Sequence, residues 1–274
     1  MTLTPEIVRF GAFLASLAVL YAAETVWPVR PWRSPRPRRL LLHLSLALAN
    51  TVLLRLTVAT PLVLLTEFVH REGWGLASLL GLSGLSEILA TVVVLDLADY
   101  WWHRANHRVP FLWRFHKPHH VDTHVDVTTA LRFHPGELLF SGLVKASWIL
   151  AWGPSLWGFA VFELMISAAS QYHHSNIDLP ERVEPALRLI QVTPRMHASH
   201  HSAYTGSLNA NFSTVFSVWD RLFGTYIAPT PDHLAVMGLP YGRERDLDPQ
   251  YLLTLPLQSE PAADDAPQSE RPRV

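Results

Sequence analysis

The 274-residue chain contains no cysteine. Disulfides, zinc–thiolate sites and iron–sulfur clusters are therefore excluded, and any metal must be held by nitrogen and oxygen. Charge is scarce as well. Asp, Glu, Lys and Arg make up 16% of the residues, against about 25% in an ordinary soluble domain. The formal net charge of −1 supplies no bulk field for nucleic acid, so no such partner is expected. No GxGxxG occurs, and no flavin, haem or nicotinamide fingerprint is present, so electrons for any redox step must come from another protein. Apolar residues are what the chain has in abundance: 49% hydrophobic, with ten Trp and a mean hydropathy of +0.15. That balance points to a membrane.

The apolar residues fall in runs. "IVRFGAFLASLAVLYAAETVW" (7–27) has about the ~20 residues that a spanning helix needs. Its weak basic flank and missing cleavage site mark it as a retained anchor. A longer run covers 40–68 and encloses His43, Asn50 and Arg55, and a third covers 86–102. The run 138–172 is interrupted by Gly153-Pro154 and reads as a helical hairpin with arms short for complete spans. The loop "PVRPWRSPRPRR" holds Arg30, Arg33, Arg36, Arg38 and Arg39 and no acid. Short basic loops stay in the cytoplasm. The third run then returns to the cytoplasmic face at His103, and the hairpin returns to the same face at His173. The expectation is an all-α, multi-pass integral membrane bundle with a cytosolic histidine-rich helical cap, in the inner membrane if the cell is bacterial. Residues 1–84 would form the first membrane segments. Residues 85–228 would form the histidine-bearing domain, with "SVWDRLFGTYIAP" closing its ordered part. Residues 229–274 would be a C-terminal extension whose end has the composition of disorder.

Twelve of the fifteen histidines lie between 103 and 201. His103 and His107 form HxxxH. His116, His119 and His120 form HxxHH, and His197, His200 and His201 repeat it. Residues three and four apart share a helix face, so each short helix offers two or three imidazoles to one site. With His174 the count is nine. Tetrahedral zinc takes at most four protein ligands, so nine suits two metal ions with positions left open. Asp99 precedes His103 by four and Asp96 by seven. A ligating imidazole gives its second N–H to a carboxylate or carbonyl, and Asp99 is the expected partner of His103, ahead of Asp126 and Glu137. His43, His70 and His233 read as ordinary hydrogen-bonded histidines, His124 as a non-ligand, and Trp101, Trp102 and Trp113 as an interfacial belt.

The segments "DYWWHRANH", "WRFHKPHHVDTHVDVTTALRFHPGE", "QYHHSNI", "TPRMHASHHS" and "NFSTVFSVWDRLFGTY" resemble the fatty acid hydroxylase/sterol desaturase superfamily over roughly residues 85–227. The resemblance implies a non-haem di-iron oxygenase that uses O2 and an external donor, ferredoxin- or cytochrome b5-like, to hydroxylate or desaturate a lipid in the bilayer. Carried over by motif, the iron ligands are His103, His107, His116, His119, His120, His174, His197, His200 and His201. His134, in "RFHP", and His173 are further candidates, and His174 fits the "HSN" register better than His173. Zinc would substitute for iron in a purified sample, because imidazole sites accept both. Two other classes compete. A membrane hydrolase would use bound zinc to activate water, which needs fewer imidazoles. A metal transporter or chaperone would line a path through the segments, whereas here the histidines gather at one face.

Overall fold

The apolar runs become helices, in which every interior backbone polar group is satisfied within its own segment. The structure, a computed structural model, describes residues 5–32 and 34–259. Arg33 and the acidic C-terminal tail lie outside those residues. Helix α1 is Pro5–Val26, α2 is Arg36–Leu54 and α3 is Thr60–Arg71. A π-turn, Arg55–Ala59, joins the last two. Pro61 offers no N–H to the ladder, and the widened turn accommodates that loss. After the short α4 (Leu76–Leu79) comes α5, Gly84–Arg108, about 37 Å long at the helical rise.

Helix α6 is Pro110–His120, and α7 (Pro135–Trp152) and α8 (Leu156–His174) form the hairpin. The hairpin turns at Gly153, whose φ of +75° is left-handed and whose Cβ position would fall 1.9 Å from the Trp74 carbonyl oxygen. No side chain fits there. Short helices complete the cap: α9 (Glu184–Leu187), α10 (Pro194–His200), α11 (Thr205–Leu208), α12 (Val218–Leu222), α13 (Pro231–Ala235) and α14 (Pro249–Thr254). Among the described residues, extended pairing is limited to isolated bridges.

Helices α3, α5, α7 and α8 share an apolar core of Leu62, Val69, Val92, Leu95, Ile149, Phe159 and Phe162. Their outer faces stay apolar too: Leu64, Leu85, Leu89, Leu143 and Trp157 are exposed, as are Leu48 and Val52 on α2. One stretch, Arg36–Leu79, is long and apolar enough by itself to cross a membrane.

The structure revises two expectations. The ordered chain does not close at "SVWDRLFGTYIAP". Leu239, Tyr251, Leu252 and Leu255 pack on Val121 at the end of α6, so the segment up to 259 is part of the fold. The loop arginines are also mostly not free surface charge. Arg39 is fully buried; it donates twice to Asp122 (2.8 Å each) and once to Asp126 (2.7 Å). Arg30 is buried on the Val125 carbonyl, and Arg36 pairs with Glu24. Of the described arginines in that loop, only Arg38 is exposed. Arginines fixed by internal ion pairs are weaker evidence of orientation than arginines held in water.

Removing one partner of a buried ion pair leaves the other charge stranded, at a cost of roughly 3–5 kcal/mol. Asp122→Asn is therefore expected to lower the thermal midpoint sharply in detergent. Arg38→Gln, on an exposed partner-poor surface, is expected to stay within about 0.5 kcal/mol of the parent.

Candidate metal centre

Helix α5 runs into the cap and carries His103 and His107 on its last two turns. Helix α6 brings His116, His119 and His120, α8 ends with His173 and His174, and α10 with the following residue brings His197, His200 and His201. Four helix ends meet, and their imidazoles sort into two groups. His103, His107, His116, His120 and His200 converge in one, and His119, His174, His197 and His201 in the other. Within each group the candidate ligand atoms lie within 4.8 Å of one another. The groups adjoin: the His120 and His201 rings stack with centroids 4.3 Å apart.

The outward nitrogens explain the inward ones. A carbonyl oxygen only accepts, so an imidazole nitrogen bonded to it must carry the ring proton. His103 Nδ1 donates to the Phe212 carbonyl (2.7 Å) and His200 Nδ1 to that of Ala210 (2.7 Å). His119 Nδ1 donates to Arg132 (3.2 Å) and His174 Nδ1 to Ser170 (2.7 Å). Each of these neutral rings has spent its only N–H, so each Nε2 is a bare lone pair. Yet the Nε2 atoms of His103 and His200 face each other at 3.1 Å, as do those of His119 and His174. Neither contact can be a hydrogen bond between neutral rings. Protonation does not rescue them either: burial holds His119, His120, His197, His200 and His201 well below the usual 6.5, and neighbouring imidazoles add to the effect. Converging lone pairs call for a cation. Two nitrogens bound at right angles at about 2.1 Å would stand about 3.0 Å apart. Five neighbouring Nε2–Nε2 pairs in the two groups stand 2.9–3.2 Å apart. The donor set therefore fits metal ions, one per group.

The remaining sequence candidates lie elsewhere. His134 caps α7, its Nδ1 accepting from Gly136 N–H (3.0 Å), while its Nε2 faces the Leu253 carbonyl. His173 donates from Nδ1 to the Thr214 carbonyl (3.1 Å) and lies against the His197 ring, outside both groups. His43 meets Thr128, and His124 lies against Trp32.

Asp99 is not the partner of His103. Sharing a helix face was not enough, because the strand-like segment 212–214 passes between them: its Phe212 carbonyl takes the His103 N–H, and its Thr214 hydroxyl donates to Asp99 (2.6 Å). Asp96, on the same face, accepts from Val215 N–H, Phe216 N–H and Trp219 Nε1. The carboxylate that does meet an imidazole is Glu137, which accepts from His116 Nδ1 at 2.8 Å. It sits in the first turn of α7, in no helical register with any histidine, so spacing alone ranked it low. The backbone acceptors carried no signal in the residue types at all.

Among the described residues the chain is helical apart from loops and isolated bridges, with two adjoining imidazole clusters. The fatty acid hydroxylase family model matches residues 88–225, half of the chain, and the chain belongs to that family. Among its relatives are the alkylglycerol monooxygenase of Danio rerio (31% identical over 50% of this chain and 30% of the relative) and the ornithine lipid hydroxylase OlsE of Rhizobium tropici (29%, over 63% and 49%). The cholesterol 25-hydroxylase of Mus musculus is 28% identical over 56% of this chain and 51% of the relative. The chain thus spans between 30% and 51% of the length of these curated relatives. No solved structure matches it.

Two outcomes follow. Glu137→Gln keeps an acceptor for His116 but removes the one charge that touches either group. Loss of such a partner typically costs about 10–100-fold in metal affinity. The expected result is that one of the two cobalt equivalents added to metal-free protein binds more weakly, the other being unchanged. The second outcome concerns pH. With native imidazoles held below 6.5 and unfolded ones titrating near it, the unfolded state binds more protons as pH falls. Metal-free protein is therefore expected to be most stable above pH 6.5 and to lose about 1.4 kcal/mol per pH unit for each extra proton below it. Denaturant titrations at pH 7.5 and 5.5 read this directly.

Proposed function

We propose that the chain is a membrane-bound non-haem di-iron oxygenase that hydroxylates a lipid with O2 and electrons from an external donor. The reading rests on one observation: two adjoining, buried, all-imidazole clusters in a chain of the fatty acid hydroxylase family. Relatives named as hydroxylases and a monooxygenase favour hydroxylation over desaturation. In this reading His103, His107, His116, His120 and His200 hold one iron, and His119, His174, His197 and His201 hold the other. The redox-active metal supplies the oxidation of an unreactive C–H bond, which zinc, having no redox chemistry, does not.

The chain's own residues do the rest. Phe212, Ala210, Arg132 and Ser170 carbonyls fix the tautomers of His103, His200, His119 and His174, so that their inward nitrogens are ready to bind without losing a proton. The Glu137 carboxylate does the same for His116. Helices α5, α7 and α8 leave an apolar crevice lined by Leu95, Ala98, Val144, Trp148 and Phe159. It reaches Asp99 and Trp102, within a turn of His103. At about 20 Å³ it is a seam rather than an open channel, and an alkyl chain approaching the metals along it would have to part these side chains. The membrane setting has several passes, with the histidine cap on the cytoplasmic side.

Iron-loaded protein in lipid nanodiscs, supplied with a reductase system and heavy-isotope O2, tests the proposal. The label should appear in a hydroxylated lipid and vanish in His120→Ala and His197→Ala at equal amounts of folded protein. Label drawn from water, or turnover without O2, would favour the hydrolytic reading and overturn this one.

A further inference from the structure

The underside of the cap carries an apolar surface that the metal centre does not use. Val183, Leu189 and Ile190 are 50%, 62% and 68% exposed, and Val218 and Leu222 are 44% and 65% exposed. These residues come from two segments that the backbone ties together. Ser217 N–H donates to the Ile190 carbonyl, Val192 N–H to that of Val215, and the Ser217 hydroxyl to that of Arg188. A solvated surface of this kind would be costly, and such patches mark a partner or a membrane.

The depth of the patch decides between those. Asp96 on α5 accepts from Val215 N–H, Phe216 N–H and Trp219 Nε1. Asp96 precedes His103 by seven residues, about 10 Å along the helix axis toward the apolar bundle. The two segments thus hang from the cap alongside the membrane helices. They are also continuous with the bundle's outer surface. Trp101 on α5 is half-exposed and meets Phe223, next to Leu222, with ring centroids 4.9 Å apart. Below Trp101 on the same face of α5 lie Leu89 and Val93, both exposed. At the other edge, Asp178 N–H donates to the carbonyl of Trp27, itself 62% exposed at the exit of α1. Tryptophans flank the patch on both sides, and Arg182, Arg188 and Arg221 stand within it. Aromatic and basic residues around an apolar face are the composition of a membrane interface.

We infer that residues 183–190 and 218–222 form a platform that inserts into the headgroup region of the bilayer on the histidine-cap side, with Val183, Leu189, Ile190, Val218 and Leu222 facing acyl chains. This rests on the membrane setting proposed above and adds to it a contact made by the cap, outside the spanning helices. The platform would hold the metal centre level with the bilayer surface, where a lipid reaches it without leaving the membrane.

The chain has no cysteine, so single cysteines accept a spin label cleanly. Labels at Leu48, Ile190, Leu222 and Asp232 would be compared in nanodiscs for access to O2, which concentrates in lipid, and to a water-soluble nickel chelate. Leu48, exposed on α2, is the lipid reference, and Asp232, exposed on α13, is the water reference. Ile190→Cys and Leu222→Cys should follow Leu48, with high O2 and low nickel access. Nickel access equal to that of Asp232 overturns the platform. Exclusion of both reagents also overturns it, because it would mean that a protein surface, such as a second copy of the chain, covers the patch. If Leu48 itself proves open to nickel, the membrane setting fails, and that result is distinct from either.

Discussion

The structure depends on a tautomer. An imidazole can bind a metal through Nε2 without releasing a proton only when its one N–H sits on Nδ1, and that is secured by an acceptor behind the ring. Four such acceptors are backbone carbonyls, at Phe212, Ala210, Arg132 and Ser170. Much of the cap exists to hold those carbonyls still. Asn211 adopts a left-handed φ of 56°, and its side chain bonds to Ser199 Oγ and the Ile227 carbonyl. Asp220 accepts from the backbone N–H groups of Phe212 and Ser213. The motif "NFSTVFSVWD" is therefore not a ligand motif. It is a clamp that aims two carbonyls at two histidines.

The Arg132 carbonyl has a clamp of its own. Asp126 caps the turn Val127–Leu131 through Thr128 N–H, and Thr129 ties back to both Asp126 N–H and Asp122. Arg39 spans Asp122 and Asp126 from α2, and Arg132 Nε bonds the Pro118 carbonyl within α6. Glu24, at the end of α1, accepts from Val127 N–H and Asn176 N–H. The first two helices thus reach the metal centre through a buried ion network without supplying a ligand. Buried networks of this kind favour a single arrangement, because each member stranded alone is costly.

Which parts of this could be read from residue types follows from the physics. Periodicity and length outlined the helices from α1 to α8, and the Gly153-Pro154 turn of the hairpin, because helices in an apolar setting need long runs and turns need special backbone. The nine converging histidines stood out because i, i+3 and i, i+4 spacing forces a shared face. The partner of His103 did not, because a carbonyl belongs to every residue and leaves no trace in composition; Asp99 had the right spacing but lost to the Phe212 carbonyl. The burial of the loop arginines was hidden for a related reason. A sequence reports charge but not burial, and nothing in the basic loop marks Arg39 as an internal cation. The segment 229–259 looked like an unpatterned extension because its apolar residues, Leu239, Tyr251, Leu252 and Leu255 among them, serve a core made across distant elements.

The composition of the centre also accounts for its position. Nine imidazoles bring no negative charge to any bound cations, and among the described residues Glu137 is the carboxylate in contact with one of them. A net positive centre is costly in hydrocarbon. At the ends of α5 and α8 it lies instead among carbonyl dipoles, with the acids of the Arg39 network a layer behind. The crevice between α5, α7 and α8 approaches from the apolar side. Polar support from the cap and apolar helices of the bundle meet at this level of the structure, and on the proposed reading a site that both stabilises cations and admits an alkyl chain has to be built there.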